Sequence, residues 1–215
     1  MPTVLKLKNI TKEFIEPRKN IVALNNINFD LSDGQCICLL GPSGSGKTTL
    51  LQIAGLLDSP TKGEIIINGK KCDHLSQEDK NFIRKQHIGF VYQNFYLLDS
   101  FSALENVIIP QLINGSGFNN ARKRAKNLLS DLGLSKRLYN KPRELSGGEK
   151  QRVSILRAIA NRPKIILADE PTGNLDKKNS ENVVKIIKDM VNHYNISFII
   201  ATHNLSITKK FDKIE

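Results

Sequence analysis

Gly41, Pro42, Ser43, Gly44, Ser45, Gly46, Lys47 and Thr48 bring glycines, a lysine and a hydroxyl together in one short stretch. The apolar run Cys36–Leu40 precedes it and the apolar-periodic segment Leu50–Leu57 follows, which reads as strand, loop, helix. In that setting the glycines let backbone N–H groups turn inward around phosphate oxygens. A helix starting near Gly46 adds the positive end of its dipole. Lys47 reaches the β and γ phosphates as a point charge, and the Thr48 hydroxyl is suited to Mg²⁺. The spacing therefore predicts a site for a nucleoside triphosphate.

Three further places belong to the same chemistry. The apolar run from Ile165 ends in Asp169 and Glu170, and ligands of open α/β sheets bind just beyond the carboxyl ends of strands. Asp169 is expected near the metal through a bound water, and Glu170 is expected to polarise the water aimed at the γ phosphate. His203 follows the next apolar run and is placed for a γ-phosphate contact, while Gln93 ends the run from Gly89 and is suited to orienting water or Mg²⁺. Taken alone, an acidic pair reads as an exposed turn and a lone histidine as a surface residue. Beside the phosphate loop, chemistry is the better reading.

These residues need a scaffold that brings strand ends together. Strands are expected over Thr3–Thr11, Ile27–Leu31, Gln35–Leu40, Glu64–Ile67, Ile88–Tyr92, Lys164–Ala168 and Ser197–Ala201. Helical periodicity covers Gly46–Leu57, Gln77–Lys85, Ala121–Leu132, Glu149–Ala160 and Asn179–His193. Alternating strands and helices indicate an α/β domain with a mostly parallel sheet. From about Asn94 to Leu145 the pattern is helical with turn signals, an insertion into the α/β core.

Composition narrows the setting. A chain of 215 residues suits one domain with a grafted subdomain and buries about 70% of its unfolded surface. No apolar run approaches the roughly 20 residues of a spanning helix. The start at Met1 lacks a signal-peptide pattern, so the chain is expected not to enter a membrane by itself. Cys36 and Cys38 fall on one face of a strand and read, with Cys72, as small core side chains rather than ligands. The net charge of +11 is scattered, with short clusters such as Arg122 to Arg124. Without aromatic interleaving it suggests a solvated surface, one suited to lying beside anionic lipid heads, and no nucleic acid is expected.

Leu145, Ser146, Gly147, Gly148 and Glu149 lie ahead of a helix, with Glu149 20 residues before Asp169. With the phosphate loop, Gln93, Asp169, Glu170 and His203 in this order, the chain resembles an ABC-transporter nucleotide-binding domain over nearly its whole length. The resemblance implies a P-loop NTPase core at 1–93 and 146–215, with an antiparallel β region and a helical subdomain at about 94–145. It implies ATP hydrolysis with Mg²⁺ at Thr48, Gln93 and Asp169, and adds Thr49 to the nucleotide site. It further implies a homodimer closed head to tail, in which residues 145–149 of one copy complete the other copy's site. Asp176, in Gly173 to Asp176, would couple the two sites, and Phe14 stands where an aromatic stacks on adenine, although a core phenylalanine fits that position equally.

The partners implied are integral-membrane permease subunits, and the place is the cytoplasmic face of a bacterial inner membrane. Residues 55–63, 89–98, 102–107 and 168–176 are most similar to motors of lipoprotein release and also to those of macrolide export. A division-site ATPase and a nucleic-acid-linked ATPase remain as alternative uses of the same cycle. Two departures are Asp99, where proline is common in this branch, and an end at Glu215 without the closing strand pair of many relatives.

Overall fold

The computed structural model describes residues 2–16, 19–211 and 213–214, so the ends at Met1 and Glu215 lie outside the described residues. In chain order the elements begin with β1 (Thr3–Glu16), β2 (Lys19–Ser32), β3 (Cys36–Leu40) and α1 (Lys47–Ala54). Then come β4 (Lys62–Ile67), β5 (Lys70–Lys71), α2 (Gln77–His87), β6 (Ile88–Tyr92), α3 (Ala103–Ile113) and α4 (Phe118–Asp131). The chain continues through α5 (Gly147–Ile159), β7 (Ile165–Asp169), α6 (Lys177–Tyr194), β8 (Ser197–Thr202), α7 (Leu205–Thr208) and β9 (Lys213–Ile214).

Two sheets result. One is antiparallel, in the order β2-β1-β4-β5, and the other is parallel, in the order β6-β7-β8-β3-β9. The parallel sheet is central because its strands are apolar on both faces. Ile37, Leu39, Ile165, Leu167, Ile199 and Ala201 join the core shared with α1 and the antiparallel sheet. Their alternating neighbours Cys36, Cys38, Ile166, Ala168, Phe198 and Ile200 join the core shared with α3 to α6. Burying one such large side chain contributes about 1.5–3 kcal/mol. Cys36 and Cys38 thus share one face, and burial pushes the Cys38 thiol up to about 12, which keeps it protonated.

Several boundaries differ from the sequence reading. β1 and β2 extend into a 14-residue ribbon each, longer than the apolar alternation suggests. Bulges break that alternation, with Asn9 and Asn26 at φ 50° and 53°. α1 stops at Ala54 rather than Leu57, because Leu56 turns left-handed at φ 57°. A side chain at Gly55 would lie 2.3 Å from the Phe90 ring, so that glycine lets the helix end close on the sheet. Between Gln93 and Ser146 the described chain holds α3, α4 and short 3₁₀ turns at Ser135–Arg137 and Pro142–Glu144. β9, at the sheet edge beside β3, was not anticipated.

Candidate nucleotide site

Gly44 and Gly46 have φ of 82° and 90°, the left-handed geometry that turns the loop over the start of α1. A β-carbon at Gly46 would stand 2.6 Å from the Ala23 carbonyl oxygen, so only glycine fits there. α1 has no side-chain cap, whereas α2, α3, α5 and α6 are capped by Ser76, Ser102, Ser146 and Asp176. Its first N–H groups are therefore left for an external acceptor such as phosphate. Lys47 lies across the loop, donating from Nζ to the carbonyls of Gly41 at 2.8 Å and Pro42 at 2.7 Å. Ser43 and Ser45 are exposed on the same loop, and Thr49 follows in the first turn of α1.

The parallel register decides what else reaches this edge. Leu40 pairs with Thr202, Asp169 with Ala201, and Tyr92 with Asp169. The segments leaving β3, β6, β7 and β8 therefore emerge side by side. Thr48 Oγ1 donates to Asp169 Oδ2 at 2.8 Å, across 121 residues of chain. A hydroxyl and a carboxylate oxygen in contact are the hard donors that Mg²⁺ accepts, so the residues fit that ion. Burial raises the Asp169 pKa, against the Thr48 hydrogen bond; the Glu170 charge raises it further and Lys47 lowers it.

Glu170 takes a left-handed φ of 46° and its N–H donates to the Ala201 carbonyl at 2.9 Å. That turn sends its carboxylate away from Asp169 toward the end of β8. Glu170 Oε1 accepts from the His203 N–H at 2.8 Å and lies 2.6 Å from His203 Nδ1. Thr202 Oγ1 donates to Oε2 at 2.9 Å. The fully buried Thr202 was missed by sequence reasoning; its place beside His203 at a strand end was the available signal. Gln93 emerges beside Asp169, but its Nε2 donates to Asn174 Oδ1 at 3.2 Å rather than to the Thr48–Asp169 pair. Asn174, also unforeseen, returns a bond from Nδ2 to the Gln93 carbonyl at 3.0 Å.

Leu145 is buried and Ser146 exposed at the start of α5. Ser146 caps the helix, its Oγ accepting from the Glu149 N–H at 3.3 Å, while the Ser146 N–H donates to Glu149 Oε2 at 2.8 Å. The Ser146 N–H, with Arg137, holds the Glu149 carboxyl below its ordinary range. Among the described residues no hydrogen bond joins residues 145–149 to the loop at 41–49. The helix end instead touches the turn before α6. Gly147 faces Leu175, and a side chain at Gly148 would collide with the Asn179 amide at 2.2 Å. Asn179 in turn donates to Asp176 Oδ1 at 2.9 Å from its N–H and to Oδ2 at 2.6 Å from Nδ2. Phe14, on the outer part of β1, is 40% exposed with Lys12 Nζ 5.1 Å from its ring centroid, so it is not a core residue.

A concavity of about 1030 Å³ lies between α4, α5 and α6 and contains none of these side chains. Strand ends converging on a glycine loop, with a metal-competent hydroxyl–carboxylate pair and a second carboxylate held in place by His203 and Thr202, define a P-loop nucleoside triphosphatase.

Residues 24–173 match the ABC transporter family. The chain is 48% identical over 212 residues to the lipoprotein-releasing system ATP-binding protein LolD of Rickettsia conorii, covering 99% of this chain and 94% of that protein. It is 46% identical over 210 residues to LolD 1 of Rhodospirillum rubrum, covering 98% and 93%. Its fold superposes on a dimeric bacterial ABC transporter cassette with a TM-score of 0.90 at 41% identity, covering 98% and 92%. A dimeric cassette in a post-hydrolysis state with ADP and phosphate gives the same TM-score at 39% identity and the same coverage. The chain belongs to the ABC transporter family, and it binds and hydrolyses ATP.

Proposed function

We propose that this chain is the ATPase of a lipoprotein-releasing system, powering transfer of outer-membrane-directed lipoproteins from the inner membrane to a periplasmic carrier. The reading rests on identity of 46–48% to LolD proteins across 98–99% of the chain. No helix among the described residues is long and apolar enough to cross a membrane. The transport path therefore belongs to separate integral-membrane permease subunits, of the LolC/LolE type, with this chain peripheral on their cytoplasmic side. Tyr96, Leu98, Phe101 and Ile113, apolar and exposed beyond Gln93, supply a surface for them. The chain works as one ATP-binding domain, with its core at 1–93 and 146–215 and a helical subdomain at about 94–145.

Two copies close head to tail, and a two-fold pairing makes each contact reciprocal. The exposed Ser146 at the start of α5 favours this: Ser146, Gly147 and Gly148 of one copy offer a hydroxyl and N–H groups to a γ phosphate held by the other. Gly41 to Gly46, Lys47, Thr48 and Thr49 hold the phosphates, and Phe14 stacks on adenine. Thr48 and, through water, Asp169 would hold Mg²⁺ together with Gln93, and the ion would supply charge to offset that of the phosphates. Glu170 takes the proton of the attacking water while His203 and Thr202 keep its carboxylate in place. Asp176, at the start of α6, links the two sites. Extraction of the tagged chain from membranes, followed by depletion in its host, tests the assignment. Copurification with permease subunits and retention of lipoproteins at the inner membrane are expected; normal lipoprotein sorting after depletion refutes it.

A further inference from the structure

The segment leaving β6 has a backbone that its own sequence does not favour. Phe95 and Tyr96 both take left-handed φ angles, 58° and 44°. Neither is a glycine or an asparagine, so two aromatic side chains in succession occupy a region that sterics disfavour. Such a conformation persists where surrounding groups over-determine it. Those groups come from α5. Arg157 donates from Nη2 to the Phe95 carbonyl at 2.9 Å and from Nη1 to the Tyr96 carbonyl. Ser154 Oγ donates to the Phe95 carbonyl at 3.3 Å. The guanidinium is half-buried and forms no ion pair among the described residues, so its charge is directed at this turn. Two residues upstream, Asn174 fixes Gln93.

α5 begins at Gly147, and Arg157 stands roughly 15 Å along its axis from there. A helix moves as a rigid body, so a shift of its Ser146 end carries the guanidinium with it. We propose that Arg157 is a positioning residue for ATP hydrolysis. By forking onto two consecutive carbonyls it makes the place of Gln93 depend on the place of α5. Seating the start of α5 on the other copy's nucleotide and setting Gln93 at its own are then one movement. The inference rests on the roles proposed above for Ser146 and Gln93.

Steady-state ATPase of the full chain tests it, using Arg157→Met, Gln93→Ala and the double variant. Arg157→Met is expected to lower kcat about 10- to 100-fold, the scale of a misplaced catalytic group, with KM for ATP within about 3-fold. In the Gln93→Ala background the same substitution should cost nothing more, because its effect passes through Gln93. Arg157→Lys should recover only part of the rate, since a single ammonium cannot fork onto both carbonyls. An equal loss of kcat in both backgrounds, or a change confined to KM, overturns the proposal. A native kcat for Gln93→Ala alone overturns the reading of Gln93 and the proposal with it. Should Arg157→Met fail to fold, Ser154→Ala provides the same cycle. Its kcat is expected to fall about 2- to 10-fold, again only while Gln93 is present, and an equal fall without Gln93 overturns the proposal.

Discussion

Replacing Glu170 by glutamine separates chemistry from architecture, because the geometry around that side chain tolerates an amide. Glu170 accepts from the His203 N–H at 2.8 Å, from His203 Nδ1 at 2.6 Å and from Thr202 Oγ1 at 2.9 Å. A glutamine oxygen in the Oε1 place keeps both His203 contacts. Its amide nitrogen, in the Oε2 place, donates to Thr202 Oγ1. That hydroxyl already accepts from the Asn204 N–H at 3.1 Å and has a second lone pair for the purpose. Stability should change by no more than about 1 kcal/mol, a Tm shift of roughly 2–4 °C for a chain of this size. What disappears is the proton acceptor. Loss of a general base slows a reaction about 10²- to 10⁴-fold, or roughly 3–5 kcal/mol of barrier. Phosphate release measures the rate, and size exclusion in ATP and magnesium should show a pair that the native protein dissolves by hydrolysis. A variant with native Tm and a kcat within about 3-fold of native would show that Glu170 is not the base.

Lys47→Ala removes a charge from the phosphate loop, and nucleotide affinity by fluorescent-ATP titration should fall about 10- to 100-fold; unchanged affinity places the phosphates elsewhere. Asp169 has a raised pKa in the folded chain, chiefly through burial, so its stabilising contribution is full below the ordinary carboxylate range and is lost as pH rises through the folded value. Asp169→Asn removes that dependence. Without nucleotide, the variant's Tm should gain on the native Tm as pH rises through that window, while magnesium-dependent ATP binding weakens; a Tm difference constant with pH refutes the argument. Gly89→Ala would put a β-carbon 2.4 Å from the Ala158 carbonyl oxygen, a backbone atom that cannot swing aside. Overpacking of this kind costs about 1–3 kcal/mol, and thermal unfolding should show a Tm lower by about 2–4 °C per kcal/mol.

Much of the molecule was legible in the chain because its signals are local. Residues 88–92 were expected as a strand and form β6 with those bounds. The loop at 41–48 declared itself through glycines and the strand and helix beside it. The reach of the β1–β2 ribbon was not legible, because bulges at Asn9 and Asn26 shift the alternation on which a strand is recognised. α3 has no bounds legible in the sequence: apolar residues run round it, Leu112 and Ile113 exposed among them, and Pro110 lies inside it, so neither periodicity nor a clean stop marks it. Thr202 had only its place beside His203 as a signal, and Asn174 and Asn179 had none, since each acts through a partner 32, 81 or 31 residues away or across a helix junction.

Which residue types this protein would use, and that they belong to nucleotide chemistry, was determined by composition over short spans: glycine freedom, strand ends and helix starts are properties of neighbouring residues. Which of them meet was decided by the strand order β6-β7-β8-β3-β9, which sets Thr48 against Asp169 and turns Glu170 toward His203 and Thr202. Hydrogen bonds reach about 3 Å, and only the packing of distant segments brings such atoms that close.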